Sequence, residues 1–267
     1  MKKLLLSLAV MAAVTTAWAQ KKLVLYYSET NNTKAVAEEL QKQLGADIEG
    51  IEAVKPYSGN FQETIQRGQQ EMQSGETPEL KPLKNKIADY DIIFLGYPIW
   101  FGTYAMPIAT LVKENDFAGK TIVPFCTFGS GGLNTSTDAL KKALPKANIK
   151  EGYGVRTARV VAAAKELDRF LKENGYKPGT VTPLPDYSEQ KPVTDAEKAL
   201  FDAACSSYQF PLGTPVTVGS RQTPDGTDYK FIVKSQGFGG GGESQSTIYV
   251  TVGKEEGAKP EFTQVVR

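Results

Sequence analysis

The segment that decides the fold is residues 22–44, KLVLYYSETNNTKAVAEELQKQL. Its first six residues, Lys22 to Tyr27, form a short apolar run typical of a buried strand, and residues 33–44 place apolar side chains at helical spacing. A polar loop from Ser28 to Thr33 joins the two. A buried strand that passes through a short loop into an amphipathic helix is typical of a parallel α/β sheet.

The same alternation continues to about residue 176. Strand and helix alternate five times, which predicts a parallel sheet covered by helices on both faces. The further predicted strands are residues 47–53, 92–96, 121–126 and 149–155, and the further predicted helices are residues 62–73, 106–113, 136–144 and 158–174.

The pattern changes after residue 176. Residues 177–193 are rich in proline and are interpreted as a linker between domains. A helix is predicted at residues 194–206, with Thr194 as N-cap and Glu197 completing a capping box. Four strands follow at residues 215–221, 229–235, 246–252 and 262–266, joined by a tight turn at 224–226 and a loop containing Gly237, Gly239, Gly240, Gly241 and Gly242. We therefore expect an α/β domain at 20–176 and a small α+β domain at 194–267.

The first nineteen residues have the pattern of a secretory signal peptide. Lys2 and Lys3 precede an apolar run at 4–17, and Ala17-Trp18-Ala19 has the small-x-small form of a cleavage site. A transmembrane anchor is the alternative, but the run is shorter than the roughly 20 residues that span a bilayer. We expect cleavage after Ala19 and a secreted or periplasmic product.

Composition excludes several classes of function. Without Lys2 and Lys3, 29 basic residues face 30 acidic ones, which argues against nucleic-acid binding and against a polybasic membrane-surface protein. The absence of histidine excludes histidine-dependent triads and histidine-ligated metal sites. Cys126 and Cys205 alone make a poor zinc site, and we expect no disulfide between them because they fall in different predicted domains.

Three unusual loops follow the first, third and fourth predicted strands. In open parallel sheets, ligands bind outside the carboxyl ends of the strands, so these loops are the candidate site. The first loop, residues 28–33, carries hydroxyl and amide side chains at a helix start and could hold a phosphate, or its side chains could simply cap the helix.

The second loop, residues 96–104, contains four aromatic residues. We expect Tyr97 and Phe101 to pack in the core, because alternate side chains point inward, and Trp100 to offer its ring to a flat ligand. The third loop, residues 127–132, is rich in glycine, which allows the backbone to approach a ligand or forms only a surface turn. Ser130 has no histidine to activate it, so a hydrolase is a poor hypothesis.

Together these loops resemble the flavin-binding motifs of the flavodoxin-like family, over about residues 21–176. The resemblance implies a five-stranded sheet of order 2-1-3-4-5 and FMN as cofactor, with its phosphate on the first loop and its isoalloxazine beside Trp100. The implied FMN-binding residues are Ser28, Thr30, Asn31, Asn32, Thr33, Pro98, Ile99, Trp100, Phe101, Gly102, Thr127, Phe128, Gly129 and Gly131.

One residue departs from the family pattern. Asn31 occupies a position where the family usually has glycine, which supplies a left-handed backbone. Asparagine is the non-glycine residue that tolerates this conformation best, so the loop can keep its shape. The alternative is that asparagine at this position weakens FMN binding.

The last ninety residues resemble cystatins in their order of one helix and four strands. The segment Gln222 to Gly226 resembles the first inhibitory hairpin, but Thr223-Pro224-Asp225 replaces its central residues, and the hairpin at Gly253 to Gly257 lacks the usual Pro-Trp. The resemblance therefore implies docking or scaffolding rather than protease inhibition.

Two functions are open at this point. The first is an exported FMN-binding protein that transfers electrons to an unknown redox partner or reduces a small molecule. The second is a non-enzymatic interaction protein, in which the α/β domain is a scaffold and the C-terminal domain binds a protein.

Overall fold

The structure is a computed structural model that describes residues 20–236 and 242–266. The predicted signal peptide and residues 237–241 of the predicted glycine-rich loop lie outside the described residues. The described chain divides into two compact units, of which the first ends at Val181 and the second begins at Thr182. In the described ranges no helix is long and apolar enough to cross a membrane.

The first unit contains a parallel sheet whose strands run in the order β2-β1-β3-β5-β6. β7 also pairs with β5, directly after β6 along the chain, so β6 and β7 are two pieces of one edge strand. The predicted order 2-1-3-4-5 is confirmed. The strands are β1 (Lys22–Tyr26), β2 (Asp47–Gly50), β3 (Ile92–Trp100), β4 (Thr103–Tyr104), β5 (Thr121–Phe128), β6 (Asn148–Ile149) and β7 (Tyr153–Arg156).

The break in the edge strand lies opposite Pro124. Residues 150–152 separate β6 from β7. The last pair of β5 with β6 is Ile122 with Ile149, and the first pair of β5 with β7 is Phe125 with Tyr153, so Pro124 lies in the unpaired stretch of β5. Proline has no N–H to donate to a strand ladder, so pairing is interrupted at this point.

Helices cover both faces of this sheet, as predicted. One face buries Val24, Phe94 and Val123 together with apolar residues of α1 and α5. The other buries Leu23 and Leu95 together with residues of α3 and α4. Since consecutive strand residues point to opposite faces, strands buried on both sides read as continuous apolar runs. The helices are α1 (Asn32–Leu44), α2 (Phe61–Ser74), α3 (Met106–Glu114), α4 (Leu133–Ala143) and α5 (Ala163–Glu173).

The second unit is one helix on an antiparallel sheet of order β12-β11-β10-β9-β8. α6 begins with the predicted capping box of Thr194 and Glu197. Its Phe201 packs against Phe231 in a core that also includes Phe262. The elements are β8 (Lys191–Pro192), α6 (Asp195–Cys205), β9 (Thr214–Thr223), β10 (Gly226–Gln236), β11 (Glu243–Gly253) and β12 (Pro260–Val266).

The end of the predicted linker belongs to this second sheet. β8 pairs with β9, and the Ser188 N–H donates to the Ser220 carbonyl at 2.8 Å. The proline content that suggested a linker is also compatible with an edge strand, which does not need every N–H for pairing. The linker interpretation is therefore wrong for residues 188–193.

Neither Cys126 nor Cys205 forms a disulfide, as predicted. Cys126 is fully buried in β5, and burial raises the pKa of its thiol. Cys205, at the end of α6, is partly exposed. We expect a thiol reagent to modify Cys205 in the native protein and Cys126 only after unfolding, as followed by mass spectrometry. Equal rates for the two thiols in native protein would contradict this burial.

Candidate functional site

The three predicted loops meet at one edge of the sheet. β1, β3 and β5 are adjacent and parallel, with Tyr26, Gly96 and Phe125 in register. The hydroxyls of Thr33 and Thr127 lie 2.8 Å apart and join the first loop to the third. The third loop also touches the second, because a Cβ on Gly132 would lie only 2.7 Å from the Ile99 side chain.

The first loop depends on the left-handed backbone of Asn31. Its φ is 62° and its ψ is 0°, and it stands at the N-cap position of α1. This is the conformation that the sequence predicted for the residue that replaces glycine. Asparagine adopts it at lower cost than other residues with a Cβ. The loop therefore keeps its turn without glycine.

The start of α1 is open to an anion. Among the described residues, no hydrogen-bond acceptor lies within reach of the N–H groups of Asn31, Asn32 and Thr33, and the first turn has no acidic residue. Ser28 Oγ accepts a hydrogen bond from the Lys34 N–H at 3.2 Å, so this hydroxyl caps the helix, which was one of the two predictions for the first loop. Unpaired N–H groups at a helix start favour a bound anion.

Glu29 places a carboxylate in this same loop. Its Oε2 accepts a hydrogen bond from the Tyr27 hydroxyl at 2.5 Å. Burial, and then this contact with Glu29, raise the pKa of Tyr27, so the tyrosine remains a donor at neutral pH. Tyr27 thus holds one carboxylate oxygen, a pairing that the sequence analysis missed because Tyr27 read only as the end of a strand.

The second loop contributes Trp100 to an aromatic cluster with Tyr27 and Tyr57. The Trp100 ring meets Tyr57 edge-on at 5.0 Å between centroids, and Tyr27 at 5.9 Å. Trp100 is partly buried. Tyr97 is fully buried, as predicted for a core residue.

Phe101 does not pack in the core as predicted, because 41% of it is exposed. It forms a two-residue turn with Gly102 between paired Trp100 and Thr103, with φ values of 51° and 84°. Two positive φ values are required by the hairpin turn that matches strand twist, so the alternation of the strand ends at Trp100. The Phe101 ring lies against Gly68 of α2, where a Cβ would come within 3.1 Å of it.

Replacement of Phe101 by asparagine is expected to stabilise the protein. Asparagine tolerates the left-handed conformation and Asn-Gly is the favoured pair in this turn, so we expect a gain of about 1 kcal/mol. The midpoint of thermal unfolding of the first unit should rise by about 2–4 °C.

Phe61→Asn is the matched control, because Phe61 is 73% exposed and its φ is not positive. It should change stability by less than about 0.5 kcal/mol. A fall in the midpoint for Phe101→Asn would show that the ring contact with Gly68 outweighs the backbone strain.

Helix α2 supplies residues that the sequence analysis missed. The Tyr57 hydroxyl donates to Glu71 at 2.5 Å, and the Arg67 guanidinium lies 3.9 Å from the centre of the Tyr57 ring. Arg67 also pairs with Glu71 at 2.8 Å. Arginine and glutamate four residues apart on a helix were the available signal, but the helix read as a polar surface element.

The third loop combines buried strand residues with accessible glycines. Thr127 and Phe128 are buried, so the Phe128 side chain packs in the core rather than in the loop. Gly129 is exposed, and its carbonyl accepts a hydrogen bond from Nε of the buried Arg156 at 2.8 Å. Arg156, which the sequence analysis did not single out, thereby fixes the first glycine of the loop.

The structure thus places the predicted residues at one edge of the sheet, but some of them are exposed there and others are buried. Ser28, Thr30, Asn31 and Asn32 lie partly or fully exposed around the start of α1, while Thr33 is buried beneath it. The other partly or fully exposed candidates are Pro98, Ile99, Trp100, Phe101, Gly102, Gly129 and Gly131.

Residues 21–172 match a family model described as Flavodoxin, which is more than half of the chain. No curated protein sequence matches the chain.

The chain is also similar to solved structures. A putative flavoprotein from Bacteroides uniformis ATCC 8492 is 28% identical, with a TM-score of 0.50, and the match covers 56% of this chain and 98% of that protein. A putative flavoprotein from Bacteroides eggerthii DSM 20697 is 32% identical, with a TM-score of 0.48, and the match covers 56% of this chain and 98% of that protein. A flavoprotein in complex with FMN from Lactobacillus acidophilus NCFM is 20% identical, with a TM-score of 0.48 and coverage of 56% and 97%.

Proposed function

Because the chain belongs to the flavodoxin family, we propose that it binds FMN at the three loops and works as an electron-transfer protein or reductase. The observation that carries this proposal is the left-handed Asn31 beside the unpaired N–H groups of α1. This arrangement suits a phosphate bound without any lysine or arginine.

The donor set fits FMN. The first loop offers N–H and hydroxyl donors for an acceptor-only phosphate, and no acidic residue stands in the first turn of α1. Glu29, the carboxylate nearest in sequence, is held by the Tyr27 hydroxyl. The second and third loops offer the partly exposed ring of Trp100 and the exposed backbone of Gly129 to a flat ring system.

The chain's own residues bind and orient the cofactor. FMN, when bound, supplies the redox chemistry by accepting and releasing electrons singly or as a hydride. The N–H groups of residues 31–33 would hold the phosphate, and Trp100 would shield one part of the ring from water. Tyr27 and Tyr57 keep Trp100 in place, and no catalytic acid or base is required of the protein.

Charge favours a small-molecule reductase over a dedicated electron shuttle. Residues 21–176 contain 20 basic and 19 acidic side chains, so this unit has almost no net charge. Association between electron-transfer partners is commonly steered by large opposite charges. A neutral unit would gain little from such steering, whereas a small uncharged substrate needs none.

We also propose that the protein is exported after cleavage behind Ala19. The support is the basic, apolar and small-x-small order of residues 1–19. Sequencing the N-terminus of the exported protein should return Gln20, and a start at Met1 would reject the cleavage.

Titration with FMN tests the central proposal. We expect a stoichiometry of one FMN per chain by calorimetry, flavin absorption bands that stay with the protein on gel filtration, and weaker binding of riboflavin, which has no phosphate. If neither flavin binds, the first unit is a scaffold and the interaction-protein hypothesis replaces this one.

A further inference from the structure

A buried pair of hydroxyls links the start of α1 to the end of β5. Thr33 is 1% exposed and Thr127 is 3% exposed, and their Oγ1 atoms are 2.8 Å apart. The residues are 94 positions apart in the chain. Thr127 points to the same face of the sheet as Val123 and Phe125, which are apolar and pack in the core beneath α1. A polar residue at such a position needs a hydrogen-bond partner.

The pair has one hydrogen more than it can use. Each threonine hydroxyl carries one donor hydrogen, and one bond between the two oxygens uses one of them. Within residues 20–236 and 242–266, neither hydroxyl has another hydrogen-bond partner. One buried O–H is therefore left without an acceptor unless a ligand supplies it.

The position of the two residues decides which hydrogen is left over. If Thr33 donated to Thr127, the spare hydrogen would lie on Thr127, inside the sheet, where the Thr127 hydroxyl has no second partner in the described part of the chain. If Thr127 donates to Thr33, the spare hydrogen lies on Thr33, in the loop with the unpaired N–H groups at the start of α1. A phosphate oxygen is an acceptor and satisfies the second arrangement only.

We infer that Thr127 is a positioning residue for the FMN phosphate: by donating to Thr33, it directs the Thr33 hydroxyl hydrogen toward the first loop. This inference rests on the proposed FMN binding. The buried chain of donors runs from Thr127 to Thr33 to phosphate, and it is built before the ligand arrives. Pre-arranged donors avoid a cost of reorganisation on binding.

The test compares Thr127→Val with Thr127→Ser by calorimetric titration of the full chain with FMN and with riboflavin. Valine keeps the shape but removes the donor, and we expect FMN to bind about 3- to 10-fold more weakly, the loss of about one hydrogen bond. Riboflavin affinity should stay within twofold of the unsubstituted protein. Serine keeps the donor, so Thr127→Ser should bind FMN within twofold.

A double-mutant cycle removes any dependence on a single variant. Thr33→Val should weaken FMN more than Thr127→Val does, and adding Thr127→Val to Thr33→Val should cause little further loss, since both act through one hydroxyl. Equal losses for FMN and riboflavin, or unchanged FMN binding in Thr127→Val, or Thr127→Ser as weak as valine, would overturn the inference while FMN binding itself stands. Failure of the unsubstituted protein to bind FMN would overturn both.

Discussion

Replacing Gly96 by alanine is expected to destabilise the first unit by about 3 kcal/mol, at the upper end of the usual cost of overpacking. Gly96 lies in β3 between β1 and β5, and a Cβ there would lie 2.1 Å from the ring of Phe125. Phe125 is 1% exposed and belongs to the core on the α1 and α5 face of the sheet, so its ring has little space to move. Urea unfolding followed by circular dichroism should show a lower midpoint for the transition of the first unit.

Gly129→Ala is the matched control for this prediction. Gly129 follows β5, its φ is not positive, and a Cβ there would meet nothing within 4 Å. It should change stability by less than about 0.5 kcal/mol. Adding Phe125→Leu to Gly96→Ala should recover part of the loss by removing the obstructing ring atoms. Equal stability of Gly96→Ala and Gly129→Ala would show that Phe125 can move aside.

Replacing Trp100 by alanine is expected to weaken FMN binding by about 1–3 kcal/mol, the burial and stacking of one aromatic ring. The ring is partly exposed at the edge where the three loops meet, which leaves a part of it for a ligand. Calorimetric titration with FMN should therefore show an increase in Kd of about 5- to 150-fold, since about 1.4 kcal/mol corresponds to a factor of ten.

Two comparisons separate this effect from loss of folding. Trp100 also packs against Tyr27 and Tyr57, so Trp100→Ala should lower stability as well. Trp100→Phe keeps an aromatic ring and should keep most of the FMN affinity. Tyr57→Leu removes a neighbour of Trp100 but leaves the Trp100 ring, so it should reduce FMN affinity less than Trp100→Ala does. If Trp100→Ala bound FMN as well as the unsubstituted protein, the flavin would lie elsewhere.

The sheet of the first unit could be predicted because its strands are continuous apolar runs in the sequence. Runs such as Ile92 to Leu95 are apolar on both faces, which is the composition of a strand covered on both sides. The three loops could be placed because carboxyl ends of parallel strands lie at one edge. Asn31 could be predicted as left-handed because the resemblance marked the position and asparagine suits it.

Other features depend on contacts that a local pattern does not contain. The turn at Phe101 places a bulky residue where asparagine or glycine is usual, so alternation wrongly predicted it to be buried. The role of α2 follows from Gly68, which lets the helix approach Trp100 and Phe101, and a single glycine in a polar helix gives no such signal. Pairing of β8 with β9 joins residues more than twenty positions apart.

The place of β1 between β2 and β3 has a consequence for the order in which the chain can fold. Lys22 pairs with Ile92, so the strand nearest the N-terminus of the described chain must wait for some seventy further residues before one of its two neighbours exists. Parallel pairs form only through such crossovers, and distant pairings slow folding. On a ribosome, the first unit therefore cannot complete its sheet until β3 has emerged.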